Sequence, residues 1–256
     1  MVRTVLIIFV GVICIILLGG PLLVYAMVTG NTDPLYAAGL FGSRISLWLG
    51  GVRMEVSGRE RIPAGAVVFM PNHQSNADPP AVFVQLPPVL VLAKKEFFRV
   101  PILGWAMRRR GFIPVDRSNR ERAIEAIRRA VDSLRAGNSF LVYPEGTRSP
   151  DGRLQRFKKG VFMMAIEAGA PIVPVSISGA TKIIPKGDLA VHPGRIRITF
   201  HDPIFTQGST PTDRETIMAA VRAAIVAGLT REEWPLDPEG LSAISTAGAD
   251  RDVDGA

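Results

Sequence analysis

The chain has 256 residues, 47% of them hydrophobic, with 30 lysines and arginines against 23 aspartates and glutamates. That length supports one or two domains with a full core, and the lone cysteine, Cys14, excludes an intramolecular disulfide framework. The charge is uneven: 17 bases and seven acids lie between Lys94 and Gly160, while residues 235–256 hold five acids and one base, so the basic quarter suits anionic headgroups and phosphorylated substrates.

From the N-terminus, Thr4 to Thr32 carries no charge, a run long enough to cross the ~30 Å hydrocarbon core of a bilayer. Gly19-Gly20-Pro21 should interrupt it, separating aliphatic Val5 to Leu18 from a shorter piece, Leu22 to Val28. A second apolar-rich stretch, Leu35 to Val52, is broken only by Arg44. Three readings compete for residues 1–50: a kinked spanning helix, a signal peptide, or a pair of helices dipping into one leaflet. Against the signal peptide stand a single basic residue, Arg3, and the lack of a clear small-x-small site soon after the apolar core. Hydropathy does not separate spanning from dipping, and both attach the protein to a membrane. The same segment makes nucleic acid a poor partner for the basic surface.

Beyond residue 50, strand and helix patterns alternate. Val67 to Met70, Val89 to Ala93, Phe112 to Val115, Phe140 to Tyr143 and Ile172 to Ile177 are apolar runs of strand length. Arg195 to Phe200 alternates as a half-exposed edge strand would. Ser118-Asn119-Arg120-Glu121 is a capping box for a helix carrying Ala123, Ile124, Ile127, Val131 and Leu134, closed by Gly137. Phe157 to Ala168 reads as a further helix, and Thr212-Asp213-Arg214-Glu215 opens another with Ile217, Val221 and Ile225 on one face. The alternation predicts an α/β fold: one domain over residues 51–234 whose central, mixed and largely covered sheet is flanked by helices. From Pro235 the Gly/Ala/Asp-rich tail has little to bury and is expected to be disordered over residues 235–256.

The stretch richest in chemistry is Asn72-His73-Gln74-Ser75-Asn76-Ala77-Asp78-Pro79, where the first apolar run empties into a loop. On a continuous helix His73 and Asp78 would be turned about 500° apart and face away from each other. Gln-Ser-Asn-Ala permits a tight non-helical turn instead, since serine and asparagine offer the backbone local alternatives to helix. His73 could then take a proton from a hydroxyl while Asp78 fixes its tautomer, a dyad whose nucleophile comes from the substrate. Ser75 is a local rival nucleophile, two residues from the base. The plainer reading, of equal weight on spacing alone, makes Asp78 the cap of a helix with Pro79 at its first position.

Three blocks follow: Gly111-Phe112-Ile113-Pro114-Val115-Asp116-Arg117, Tyr143-Pro144-Glu145-Gly146-Thr147-Arg148-Ser149 and Ile172-Val173-Pro174-Val175-Ser176-Ile177. In the second, Gly146 lets backbone amides approach an anion and Arg148 offers a planar fork for phosphate; a turn with a surface arginine is the simpler account. Taken alone, Arg117 is a surface residue or a partner of Asp116, and Pro174 a proline in a peripheral strand. His192 and His201 belong to no motif and read as surface or structural. No His/Cys/Glu cluster has metal-ligand spacing, and neither Gly-x-Ser-x-Gly nor a Walker-type loop occurs, so neither metal nor cofactor is expected.

In order and spacing these four blocks resemble the glycerolipid acyltransferase family over roughly residues 50–205. His-x4-Asp with Pro-Glu-Gly-Thr-Arg-Ser carries the likeness, and Tyr143 stands where phenylalanine is usual. The resemblance implies a membrane-bound enzyme of phospholipid synthesis, its catalytic domain on the cytoplasmic face, with His73 and Asp78 as general-base dyad. It implies acceptor-phosphate contacts from Arg117, Gly146, Thr147 and Arg148, a polar contact near the glycerol from Glu145, and Pro174 in the acyl-binding wall. The acceptor would be lysophosphatidic acid and the donor acyl-CoA or acyl carrier protein, a co-substrate rather than a cofactor. It also favours an N-terminal helical hairpin against the membrane. Other acceptors (glycerol 3-phosphate or another lysophospholipid), a phosphoesterase using Asp78, Asp116 and Glu145 around a divalent ion, and a non-catalytic lipid-binding protein remain as alternatives.

Overall fold

The computed structural model describes residues 2–100, 102–116 and 119–236. Arg117, Ser118 of the expected capping box and all but the first two residues of the expected tail lie outside the described residues.

The uncharged N-terminal run forms α1 (Val2–Cys14), a π-helical turn (Ile15–Gly19) and α2 (Gly20–Thr29), so Gly19-Gly20-Pro21 does not break the helix. The π turn sends the Gly20 N–H back to Ile15 O, and this wider turn accommodates a proline ring that would clash in a regular helix. Left-handed Gly30 ends α2, and α3 (Asp33–Leu49) folds back against it. Val2–Thr29 is 28 residues, about 42 Å at 1.5 Å per residue, and is apolar enough to cross a membrane, with its most apolar part uncovered by the rest of the chain. The hairpin is tied to the domain at both ends. Thr4 Oγ1 accepts from Val191 N (2.9 Å). At the far end Asp33 pairs with Arg110 (3.0 Å), and the Tyr36 hydroxyl accepts from Val89 N (3.4 Å).

The sheet has seven strands: β1 (Val52–Ser57), β2 (Val68–Pro71), β3 (Val89–Lys94), β4 (Ile113–Val115), β5 (Ser139–Leu141), β6 (Ile172–Ser178) and β7 (Gly194–Phe200), in the order β1-β7-β6-β2-β5-β3-β4. Every neighbouring pair is parallel except β6 with β7. The buried central strand β2 therefore reads as an unbroken apolar run, and β6 as one interrupted only by the buried Ser176 and Ser178. Between strands run α4 (Asp78–Phe83), α5 (Leu103–Arg110), α6 (Arg120–Arg135), α7 (Lys159–Ala168) and, last, α8 (Arg214–Ala227).

One face of the sheet packs Val68, Met70, Phe140 and Ile172 against α6, α7 and α8. The other packs Val67, Phe69, Val173 and Val175 against Ala81 and Val82 of α4 and Leu47 of α3. Fully burying a large side chain such as Phe69, Phe140 or Phe200 contributes about 1.5–3 kcal/mol, so both layers are strongly held.

Two expectations are corrected. β7 is not an edge strand, because β1 pairs along its outer side from Val52↔Gly194 to Ser57↔Thr199. Pro174 is not peripheral but buried in central β6, level with Met70 of β2. It is tolerated where the antiparallel ladder ends: His201 N donates to Pro174 O (3.0 Å), and Pro174 has no N–H to return. Helix caps shift too. Asn119 caps α6, its side chain accepting from Arg122 N (3.0 Å). Thr210 and Asp213 form the box before α8, since Pro211 presets the first turn two residues earlier than expected.

His201, without a motif, is structural. Ser176 Oγ donates to Ile225 O (2.7 Å), so the His201 Nε2–H donates to that oxygen (2.6 Å) and the serine is not a nucleophile. Burial, aided by the Arg61 guanidinium and opposed by Asp202, pushes the imidazole down to about 4. A folded value below the ordinary 6.5 means stability that is complete above pH 6.5 and lost as pH falls toward 4, up to about 3 kcal/mol. His201→Gln keeps an N–H donor but cannot titrate. Its unfolding free energy should therefore gain on wild type as pH drops from 7 to 4; parallel curves would show that His201 is not the titrating group.

Candidate active site

Because β2, β5 and β6 are adjacent and parallel, the segments following them emerge at one end of the sheet, the usual place for a site in such folds. His73 leaves β2 there, and the Tyr143–Arg148 loop leaves β5. His73 Nδ1 lies 2.8 Å from Asp78 Oδ2, with the His73 side chain 16% exposed and that of Asp78 0%. The turn that joins them is closed by Asp78 N donating to Ser75 O (3.3 Å). Asp78 does begin α4, with Pro79 in the first turn, yet its carboxylate points back up the chain. Oδ2 accepts from Gln74 N (2.6 Å) and Ser75 N (2.7 Å) as well as from the imidazole. The dyad and the helix start are thus one arrangement.

Burial raises the Asp78 carboxyl above its ordinary range, while the His73 ring and the Ser75 and Gln74 amides pull it back. With Nδ1–H given to Asp78, Nε2 is the basic nitrogen, and it has no protein partner among the described residues. Ser75 is no rival: its hydroxyl is buried, donates to Ile184 O (2.8 Å) and accepts from Ala77 N (3.1 Å).

Glu145 is 2% exposed, and both its oxygens serve the backbone. Oε1 accepts from His73 N (2.6 Å) and Oε2 from Gln155 N (2.9 Å), so the carboxylate expected near the glycerol ties the His73 backbone to the segment at residue 155. Burial, reinforced by the Asp78 charge, pushes it up to about 7 against the pull of the two amides and Arg222. His73 O accepts from Ser149 N (2.8 Å), so both backbone groups of the base are held by the Glu145–Ser149 segment. Asn72, which no motif marked beyond its place in the block, pairs both ways with Ile177: Nδ2 donates to its oxygen (2.8 Å) and Oδ1 accepts from its nitrogen (2.7 Å). Its only signal is a polar residue directly after an apolar strand.

In the second loop, Gly146 N donates to Tyr143 O (3.0 Å), closing a turn that needs the positive φ of 71° at Gly146. Thr147 is exposed and Arg148 half-buried. Among the described residues no carboxylate engages the Arg148 guanidinium, which leaves it available at the dyad's end of the sheet. Pro174 lies away from this opening, on the α8-facing side of β6 that Ile172 and Ser176 share. Asp116 pairs with Lys95 (2.7 Å) and Arg122 (3.4 Å), and the described residues contain no group of three His, Cys, Asp or Glu able to hold a metal. The Asp78, Asp116 and Glu145 carboxylates therefore do not gather around a divalent ion.

The chain is similar in sequence and in fold to known proteins. Residues 53–178 match the acyltransferase family. A chloroplastic 1-acyl-sn-glycerol-3-phosphate acyltransferase of Brassica napus is 33% identical over 60% of the chain, which spans under half of that relative's length (45%). A 1-acyl-sn-glycerol-3-phosphate acyltransferase of Limnanthes alba is 34% identical over 74% of the chain and 68% of its own length. The crystal structure of the 1-acyl-sn-glycerophosphate (LPA) acyltransferase PlsC from Thermotoga maritima matches with a TM-score of 0.75 and 29% identity, over 89% of this chain and 93% of that one.

Tyr143 stacks on the His73 ring, centroids 4.1 Å apart and planes 27° from parallel. Its hydroxyl is buried without a protein partner among the described residues, and burial with the Asp78 charge holds it neutral. Tyr143→Phe keeps the stack and loses no protein hydrogen bond. Thermal unfolding should show a change within about 1 kcal/mol; a loss above about 2 kcal/mol would mean that the hydroxyl makes a bond of its own.

Proposed function

The chain belongs to the glycerolipid acyltransferase family, and we propose that it transfers a fatty acyl group from a thioester to the free hydroxyl of lysophosphatidic acid, yielding phosphatidic acid. The observation that carries this reading is the His73–Asp78 pair at 2.8 Å with Nε2 unengaged, at the same end of the sheet as an available Arg148. Nε2 takes the proton of the acceptor hydroxyl as its oxygen attacks the thioester carbonyl carbon. The C–S bond then breaks, and the departing thiolate takes the proton back from the imidazolium, which Asp78 has stabilised meanwhile. The thioester is already activated, so the serine nucleophile of hydrolytic triads has no counterpart here. Arg148, with the Gly146–Thr147 backbone and Arg117, holds the acceptor's phosphate by charge-assisted hydrogen bonds. The basic excess of residues 94–160 suits an anionic acceptor and either acidic donor, acyl-CoA or acyl carrier protein.

The hairpin supports membrane attachment. Exposed Val5, Phe9, Val12, Ile16, Phe41 and Trp48 form an apolar surface that water would not tolerate. Both hairpin ends are fastened to the polar domain, so a full crossing would drag that domain into hydrocarbon; insertion into one leaflet avoids this. The anionic cytoplasmic leaflet is the surface that the basic domain favours.

Transfer of radiolabelled acyl groups from acyl-CoA or acyl carrier protein to lysophosphatidic acid, by detergent-purified protein, tests the reaction. Wild type should form phosphatidic acid, and His73→Ala should lose at least about 10²-fold in rate while staying folded; comparable activity would remove His73 as the base. Arg148→Ala should raise the acceptor's apparent KM far more than the donor's, and equal effects would argue against a phosphate contact. A faster reaction with glycerol 3-phosphate or another lysophospholipid would replace the acceptor named here.

A further inference from the structure

Glu233 lies well beyond the residues that match the family and sits in no motif, in a 3-10 turn (Arg231–Glu233) after α8. It is 7% exposed, and its carboxylate accepts five hydrogen bonds. Oε2 takes Thr230 N (3.0 Å), Thr230 Oγ1 (3.0 Å) and Ser178 Oγ (2.6 Å). Oε1 takes Gly179 N (2.8 Å) and Gln74 Nε2 (3.1 Å). The Thr230 contacts are those of an ordinary capping box, which an exposed glutamate would serve equally well. They do not account for Oε1. That oxygen reaches the last turn of β6 and the residue beside the base, with no cation paired to it among the described residues. A buried carboxylate satisfied only by neutral donors is costly to maintain, and a packed apolar side chain would serve a purely structural end as well.

The connections run into the dyad. Gln74 Nε2 also donates to Ile177 O (2.8 Å), and Gln74 N donates to Asp78 Oδ2 (2.6 Å). Glu233 O accepts from Leu154 N (2.9 Å), and the next residue, Gln155, gives its N–H to Glu145, which holds His73 N. We propose that Glu233 is a positioning residue of the active site: through Gln74 it fixes the peptide between His73 and Asp78, making the segment after α8 part of the catalytic scaffold. The proposal rests on the acyl-transfer reading above for its kinetic arm only.

The test compares Glu233→Ala, Glu233→Gln, Gln74→Leu and the Glu233→Ala/Gln74→Leu double variant. Glu233→Ala should lower kcat by about 10- to 100-fold with both apparent KM values within about threefold, as displacement of a catalytic group does. Glu233→Gln should recover part of the loss, because its Oε1 still accepts from Gln74 and Gly179 and the serine and threonine hydroxyls can reverse, while the Thr230 N–H alone loses its acceptor. If Glu233 acts through Gln74, the double variant is no slower than the slower single one; multiplying losses would overturn the proposal. A readout independent of turnover is the nuclear magnetic resonance titration of the His73 ring, assigned by its loss in His73→Ala among only three histidines. Glu233→Ala should shift or broaden that signal and leave His192 unmoved; an unaltered His73 signal would sink the idea. Were wild type inactive on every lysolipid, the acyl-transfer reading would fail while the ring titration still decided the role of Glu233. Should Glu233→Ala not fold, Glu233→Gln and Gln74→Leu carry the same comparison.

Discussion

A chain that leaves a buried strand in the middle of a sheet must find partners for its backbone donors within a few residues, or lose a kcal/mol or more for each one stranded. Here Asp78 meets that demand. A single carboxylate oxygen accepts from the amides of Gln74 and Ser75 and from the imidazole of His73. The loop folds only by bringing Asp78 under it, and once there Asp78 fixes the tautomer of the base. Base orientation and loop folding are thus the same set of hydrogen bonds, so evolution cannot tune one without the other.

The same economy recurs on either side. Glu145 ties the nitrogen of His73 to the 155 loop, and Asn72 extends the pairing of β2 with β6 one residue past the strand by reading both backbone groups of Ile177. The Asp78 charge adds to the proton affinity of Glu145 in this poorly solvated site, and for both carboxyls burial is the largest cause of the raised value. The amides aimed at them are what hold that cost to a tolerable level. The site is therefore a rigid polar network set into apolar layers, in which catalytic and scaffolding groups share the same atoms.

How much of this the sequence disclosed depended on range. The parallel core strands were readable because burial on both faces leaves an unbroken apolar run, as in Val67–Met70 and Ile172–Val175. The His73–Asp78 pair was half legible: the turn formers between the two permit a tight turn, but the spacing fits a helix start equally well, and Asp78 does both. The order of strands was not, since alternation along Arg195–Phe200 reports one exposed face and says nothing of what pairs at its edge; the likewise alternating Val52–Ser57 was passed over as the end of an apolar stretch. Glu145 was legible as part of a motif but not as a buried anchor, because a glutamate before glycine in a turn looks solvated. Glu233 gave no signal at all. Its partner Gln74 lies 159 residues away, and no local spacing encodes a contact at that separation.

The hairpin and the dyad are coupled by packing rather than by sequence proximity. α3 rests on α4, where Leu47 meets the cluster that contains Ala77, Ala81 and Val82, and α4 is the helix that Asp78 begins. Packed helices lie about 8–10 Å apart, so the Asp78 carboxylate is roughly one helix spacing from the hairpin that, on the proposed attachment, meets lipid. For a single-chain lipid acceptor this separation matters. Its tail prefers to stay in the leaflet while its hydroxyl must reach Nε2, and a more distant anchor would require the whole molecule to leave the bilayer, at about 0.8 kcal/mol per methylene exposed. Fastening the hairpin at both ends holds that distance fixed. On the proposed reaction, the N-terminal segment does more than retain the enzyme at a surface: it sets the depth from which the substrate is drawn.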